Sequence, residues 1–125
     1  MATNFSKKDM IKLQNLLRKS KKTITTAESC TGGLVASMIT KISGSSDIFN
    51  GSIVTYSNSI KNKELGVLNE SLDKFGAVSK QVVSEMLDGV LRKFEADFAI
   101  AISGIAGPNG GTKNKPVGTI VIGIA

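Results

Sequence analysis

Histidine and tryptophan are absent from this 125-residue chain, and Cys30 is its only cysteine. Each absence removes a class of chemistry. A Ser-His-Asp triad cannot form, and the His-rich and multi-Cys sites that hold zinc are excluded within the chain. A single cysteine excludes an internal disulfide framework. Any acid–base or nucleophilic step must therefore take its proton acceptor from Lys, Asp, Glu, Tyr or Cys30. Long apolar runs are missing too. The longest, at the C-terminus, is broken by Gly123 and falls far short of the roughly 20 residues that span a bilayer. The N-terminal MATNFSKKDMIKL has no apolar core followed by a small-residue cleavage site. No signal peptide is expected, and a cytoplasmic location is the expectation.

What is present fits a globular protein, with 41% apolar and 21% charged residues. That length predicts one domain over residues 1–125, able to bury roughly two-thirds of its unfolded surface. The net charge of +6 comes from 16 basic residues, of which only Arg18 and Arg92 are arginine. The lysines are scattered over Lys7-Lys8, Lys19 to Lys22, Lys61-Lys63 and Lys113-Lys115. Bidentate phosphate and base contacts favour arginine, so solvated outer faces are expected here rather than a nucleic-acid surface. No membrane partner is expected either.

Strands and helices alternate along the chain. Ser6 to Lys19 reads as a capped helix with Met10, Leu13, Leu16 and Leu17 on one face. Thr23 to Ala27 is β-prone, and a Gly-bearing turn then leads into the helical pattern LVASMITKI. Ser43 to Asp47 reads as a loop, and Ile48 to Tyr56 as a strand with an irregularity at Gly51. Short helices are expected over Asn58–Leu65 and Asn69–Phe75, ended by Gly66 and Gly76. Ser79 caps a longer helix in which Val82, Val83, Met86, Leu87, Val90, Leu91 and Phe94 recur at helical spacing. Asp97 to Ser103 reads as a strand buried on both faces, residues 104–116 as a loop, and Val117 to Ala125 as a last strand. The alternation predicts a single three-layer α/β domain, with helices on both faces of a mostly parallel sheet.

Three constellations could carry chemistry. In Glu28-Ser29-Cys30-Thr31-Gly32-Gly33, a hydroxyl sits at a strand-to-helix turn, where outward-pointing amides can hold an oxyanion or a phosphate. The alternative is an ordinary cap with a Gly-softened helix start. The spacing matches neither GxxxxGK[ST] nor GxSxG. In Tyr56-Ser57-Asn58-Ser59-Ile60-Lys61, a Tyr at a strand end and a Lys one turn into a helix can face one pocket. At its ordinary value near 10.4, only about 0.04% of a lysine is neutral at pH 7, so a base at Lys61 needs burial to lower it. The alternative is one more exposed lysine. In the run from Ser103 to Gly111, a buried strand delivers a hydroxyl and then bare backbone at its carboxyl end, where ligands of open α/β sheets bind. With no His available, Ser29, Lys61 and Ser103 form the best-placed nucleophilic set. Cys30 is the rival nucleophile at the same turn.

TAESCTGGLVAS (26–37), SGSSDIFNGSIVTYSNSIKNKELGV (43–67), GAVSKQVVSEM (76–86) and SGIAGPNGGTKNKPVGTIVIGIA (103–125) together resemble the CinA C-terminal domain family. The resemblance runs over residues 6–125, with the four motifs in order. It implies an α/β domain, often oligomeric, that hydrolyses nicotinamide mononucleotide to nicotinate mononucleotide and ammonia without metal or organic cofactor. It implies Ser29 as nucleophile and Lys61 as general base, with Tyr56 and Ser103 orienting substrate or supporting proton transfer. The backbone of Thr31, Gly32 and Gly33, and that of Gly104, Ala106 and Gly107, would hold the oxyanion or phosphate. Two departures stand out: Ser103 replaces the family's usual Thr, and residues 1–125 do not contain the family's usual further strand and long helix with its Arg-bearing segment. The resemblance leaves open a nucleotide- or protein-binding subunit of weak or no catalytic activity.

Overall fold

The computed structural model describes residues 4–125. Its first helix, α1 (Lys7–Ser20), starts where Ser6 and Asp9 cap each other's backbone and ends with Lys21 in the left-handed conformation. Met10, Gln14 and Leu17 face inward, whereas Leu16, expected on the same face, is exposed. There follow β1 (Ile24–Glu28), α2 (Leu34–Thr40), β2 (Ile53–Val54), α3 (Asn58–Leu65), α4 (Asn69–Phe75), α5 (Lys80–Phe94), β3 (Phe98–Gly104) and β4 (Ile120–Ile124). The four strands form one mixed sheet in the order β2-β1-β3-β4, parallel except for the antiparallel β3–β4 pair.

Alternation along the strands divides the core into two layers. Ala27, Ala99 and Ala101 face one side, where they meet Val82, Val83, Met86 and Val90 of α5 together with Leu65, Val67 and Leu72. Ile24 and Ile100 face the other side, with Met10, Leu17, Ile39 and Ile48. The small side chains on the α5 side let that helix lie close. A Cβ at Gly123 would come within 2.7 Å of Leu87, and one at Gly89 would run into the backbone of Leu65 on α3. The α1 side is covered over β1, while Ile120, Ile122 and Ile124 of β4 stay open to solvent. An apolar groove there is lined by Leu13, Leu16, Leu17, Phe98, Ile100 and Ile124.

Two expected elements differ. The strand expected over Ile48 to Tyr56 is only two residues long, because Ser45–Asp47 forms a 3-10 turn and Ile48 is spent closing it. Ile48 buries its side chain and accepts from Ile24 N–H at 2.9 Å, while Gly51 lies against the Phe94 ring and accepts from Thr25 Oγ1 at 2.7 Å. One backbone bond, one side-chain bond and the core contacts of Ile48 and Gly51 thus stand in place of a continuous ladder. The last strand starts at Ile120 rather than Val117, because Gly118 and Thr119 bond back to Ile105 and Pro116 in a tight turn.

Candidate active site

β1 ends at Glu28, and the next residue is Ser29. The Ser29 amide still donates to Ile102 O of β3 at 3.0 Å, so the strand register fixes the residue's backbone. Its carbonyl accepts from Gly32 N–H at 3.0 Å, and the chain turns through Gly32 (φ 60°) and Gly33 (φ 102°) into α2. Two consecutive positive φ angles explain the Gly pair. At Gly33 the space would admit a Cβ in ordinary contact with Val54 at 3.4 Å, so the backbone angle rather than crowding calls for glycine.

Lys61 reaches the same place from α3. Ser57 caps that helix by accepting from Ile60 N–H, and Gly66 ends it in the left-handed conformation. Lys61 and Leu65 stand one turn apart on the inner face, and both are buried. Lys61, only 1% exposed, directs Nζ to Ser29 Oγ at 2.9 Å and donates to Thr55 O at 2.7 Å. Ser29 itself is 5% exposed. Burial lowers the lysine's proton affinity from its ordinary value of 10.5, and a charge on Cys30 pulls the other way. A neutral amine suits both contacts: one N–H serves the Thr55 carbonyl and the lone pair faces the Ser29 hydroxyl.

Glu28, which sequence reasoning did not single out, is the most heavily bonded side chain of the turn. Its Oε1 accepts from Thr31 Oγ1 at 2.7 Å, Val35 N–H at 3.0 Å and Gly33 N–H at 3.2 Å. Its Oε2 accepts from Ala36 N–H at 2.9 Å and Thr26 Oγ1 at 3.0 Å. Burial works to raise its pKa, but the donors from Ala36, Thr31, Val35 and Thr26 outweigh it and leave the carboxyl below its ordinary 4.5. The available signal was an acid closing a β-prone run directly before a turn whose amides need an acceptor.

That network alters two expected roles. The Gly33 amide is engaged by Glu28 and the Gly32 amide by Ser29, so neither is free for a substrate anion in this conformation; Glu28 also engages the Thr31 hydroxyl but not its amide. Among the described residues, the amides of Cys30 and Thr31 donate no hydrogen bond. They are the turn's remaining donors.

The other expected residues divide. Ser103 follows Ile102, the residue beside Glu28 in the sheet, so it flanks the turn; its Oγ is buried without a hydrogen-bond partner among the described residues. Gly104 lies against Cys30, where an added Cβ would come within 2.8 Å of Sγ. Ala106 is exposed, and Gly107 packs its backbone against Val117 in the 105–119 loop, which closes on itself through Ile105 and Thr119. Lys115 ties this loop to the end of α4 by donating to Phe75 O at 2.7 Å. Tyr56 is 66% exposed and makes no hydrogen bond to Ser29 or Lys61. Grooves lined by Phe5, Met10 and Ile42 and by Leu13, Leu17 and Ile124 run along α1 and do not include Ser29. Among the described residues, no group of three or more His, Cys, Asp or Glu could hold a metal ion, and no helix is long and apolar enough to cross a membrane.

Residues 7–125 match the family model of the CinA C-terminal domain. A CinA-like protein of Prochlorococcus marinus (strain MIT 9312) is 61% identical over 109 residues, which are 87% of this chain and 26% of that protein. A CinA-like protein of Thermotoga neapolitana is 53% identical over 107 residues, 86% of this chain and 26% of that protein. The chain thus spans about a quarter of the length of the curated relatives it matches. Among solved structures, the competence/damage inducible protein CihA of Agrobacterium tumefaciens superposes with a TM-score of 0.89 at 43% identity, covering 92% of this chain and 70% of that one. A competence-damaged protein (CinA) superfamily protein of Escherichia coli gives a TM-score of 0.91 at 34% identity, over 99% and 73%.

Proposed function

The chain belongs to the CinA C-terminal domain family, and from that premise we propose that it hydrolyses the carboxamide of nicotinamide mononucleotide to nicotinate mononucleotide and ammonia. Ser29 is the nucleophile and Lys61 its base. The observation that carries the reading is the buried 2.9 Å contact between Lys61 Nζ and Ser29 Oγ, with no histidine in the chain to take the role.

The chemistry proceeds in two halves. Ser29 Oγ attacks the carboxamide carbon as its proton passes to the neutral Lys61 amine. The oxyanion that forms lies against the free amides of Cys30 and Thr31. Collapse breaks the C–N bond, and Lys61 returns the proton to the leaving nitrogen, which departs as ammonia. Water then attacks the acyl ester and Lys61 takes the water's proton. The ester bond breaks, Lys61 returns that proton to Ser29, and the acid product leaves as carboxylate once its own proton passes to solvent. Throughout, the Thr55 carbonyl holds the amine's orientation. Ser103 offers its unpartnered hydroxyl from the next strand, and Tyr56, open to solvent, meets substrate rather than Ser29.

The test is an incubation of the protein with nicotinamide mononucleotide, following ammonia and nicotinate mononucleotide. Product is expected with the wild type and a fall of at least about 10³-fold with Ser29→Ala. Equal turnover by a folded Ser29→Ala variant refutes the assignment. Calorimetric binding of the nucleotide without product by the folded wild type favours a nucleotide-binding subunit instead.

A further inference from the structure

We propose that Glu28 is the positioning residue of the nucleophile: its carboxylate clamps the 29–33 turn so that Ser29 Oγ stays on Lys61 Nζ. This inference rests on the Ser29–Lys61 reading and adds to it a residue that touches neither substrate nor the reacting atoms.

Glu28 is 0% exposed and its two oxygens take five donors, more than the roughly four lone-pair sites an ionised carboxylate offers. The donors come from three pieces of chain. Thr26 belongs to β1, Thr31 and Gly33 to the turn, and Val35 and Ala36 to the first turn of α2. One side chain thus joins the strand before Ser29 to the helix after it. The backbone of Ser29 is held on the strand side by Ile102 O. On the other side its carbonyl is held by Gly32, whose place depends on the glutamate-bound residues either side of it. Within the clamped turn, the amides of Cys30 and Thr31 are left without a hydrogen bond among the described residues. A carboxylate is the one group that can accept from all five donors. An amide at this position would turn an N–H toward amides or hydroxyls that themselves need an acceptor.

A purely structural glutamate would change stability and leave the folded enzyme's chemistry alone, whereas a clamp changes the reactivity of Ser29. A fluorophosphonate probe separates the two without any assumption about substrate. Ser29 Oγ attacks phosphorus, fluoride leaves, and the serine proton passes to Lys61, so the labelling rate reports the pair directly. The rate at Ser29 would be followed by intact mass for the wild type, Glu28→Gln and Thr31→Val, with circular dichroism to establish folding. Ser29→Ala supplies the unlabelled control.

Glu28→Gln is expected to slow labelling by at least about tenfold, and Thr31→Val, which removes one donor of five, by a smaller factor. With nicotinamide mononucleotide the loss should fall on kcat, with KM within about twofold. Should Glu28→Gln fail to fold, Thr31→Val alone carries the test. Wild-type labelling rates in folded variants overturn the proposal, as does a Thr31→Val effect confined to KM, which would make Thr31 a substrate ligand. Slowed labelling in a protein that does not turn over the nucleotide upholds the clamp and refutes the substrate. A wild type that never labels at Ser29 overturns the clamp and the nucleophile together.

Discussion

Glu28 adjoins Ser29 in the chain and Lys61 contacts its hydroxyl, and both are almost wholly withdrawn from water, at 0% and 1% exposure. Their surroundings differ. Glu28 is met by five donors from its own stretch of chain, while Lys61 has the Thr55 carbonyl and the Ser29 hydroxyl, brought together from three elements. Both pKa values are lowered, with opposite consequences. For Glu28, hydrogen bonds to the charged form overcome burial and keep a permanent anion. For Lys61, burial prevails and favours the neutral amine. The lesson is that burial alone does not decide the charge of a group; the supply of partners to its ionised form does. Here a saturated carboxylate serves as scaffold, and an under-supplied amine is left able to exchange a proton.

The largest effect should come from removing the under-supplied partner. Lys61→Met is expected to lower Ser29 labelling and amide turnover by about 10²–10⁴-fold, the usual worth of a positioned general base. It should also change the pH dependence of stability in a direction the comparison fixes. The unfolded chain keeps Lys61 protonated up to its ordinary 10.5, while the fold releases that proton at a lower pH. Between those two values the unfolded state binds more protons, so wild-type stability rises with pH by up to about 1.4 kcal/mol per unit and is lost as pH falls through the folded value. Lys61→Met removes this alkaline-side slope. It leaves the acid-side slope, because the lowered carboxyl of Glu28 gives stability present above its ordinary value and lost below its folded one. Denaturant melts across the pH range check both; an unchanged alkaline slope would mean that Lys61 stays charged in the fold.

The second way to break the comparison is mechanical. The Glu28 network lies within residues 26–36, whereas Lys61 depends on α3 being pressed against α5. The contact is tightest at Gly89, where an added Cβ would run into the Leu65 backbone. Gly89→Ala should cost about 1–3 kcal/mol, because backbone cannot yield as a flexible side chain would. It should also slow Ser29 labelling at temperatures where the protein remains folded, by moving α3 and Lys61 outward. Hydrogen exchange offers the sharper reading. The amides of Val35 and Ala36 should keep their protection while those of α3 lose it, and equal loss in both would show that the two supports are not independent.

Sequence reasoning reached unequal depths in the two supports. Helix α5 was legible because Val82, Val83, Met86, Leu87, Val90, Leu91 and Phe94 recur at helical spacing; the first five are buried, and Leu91 and Phe94 are half-buried against the same core. Lys61 was legible by elimination and by resemblance, and its inward direction follows from its place one turn before Leu65. Glu28 was passed over, since a lone acid before a serine carries no periodic signal and its five donors include amides that no residue type advertises. The region 48–56 misled for the converse reason. Its β-branched composition is real, but Ile48 and Gly51 spend their backbone groups on Ile24 and Thr25 rather than on a ladder. Tyr56 is placed near Lys61 by spacing and in the site by resemblance, and the fold leaves it 66% exposed.

The smallest expected effect belongs to that tyrosine, and it marks the edge of the machinery around Ser29. Tyr56 contributes no hydrogen bond to either buried group, so Tyr56→Phe should change stability by no more than about 0.5 kcal/mol. Fluorophosphonate labelling should stay within about twofold of wild type, since the Ser29–Lys61 contact and the Glu28 clamp are untouched. Turnover of nicotinamide mononucleotide is the separate readout. A rise in KM with unchanged labelling would assign the hydroxyl to substrate. A fall in labelling would instead bring Tyr56 into the support of Ser29 and require the loop after β2 to close over Lys61 in solution.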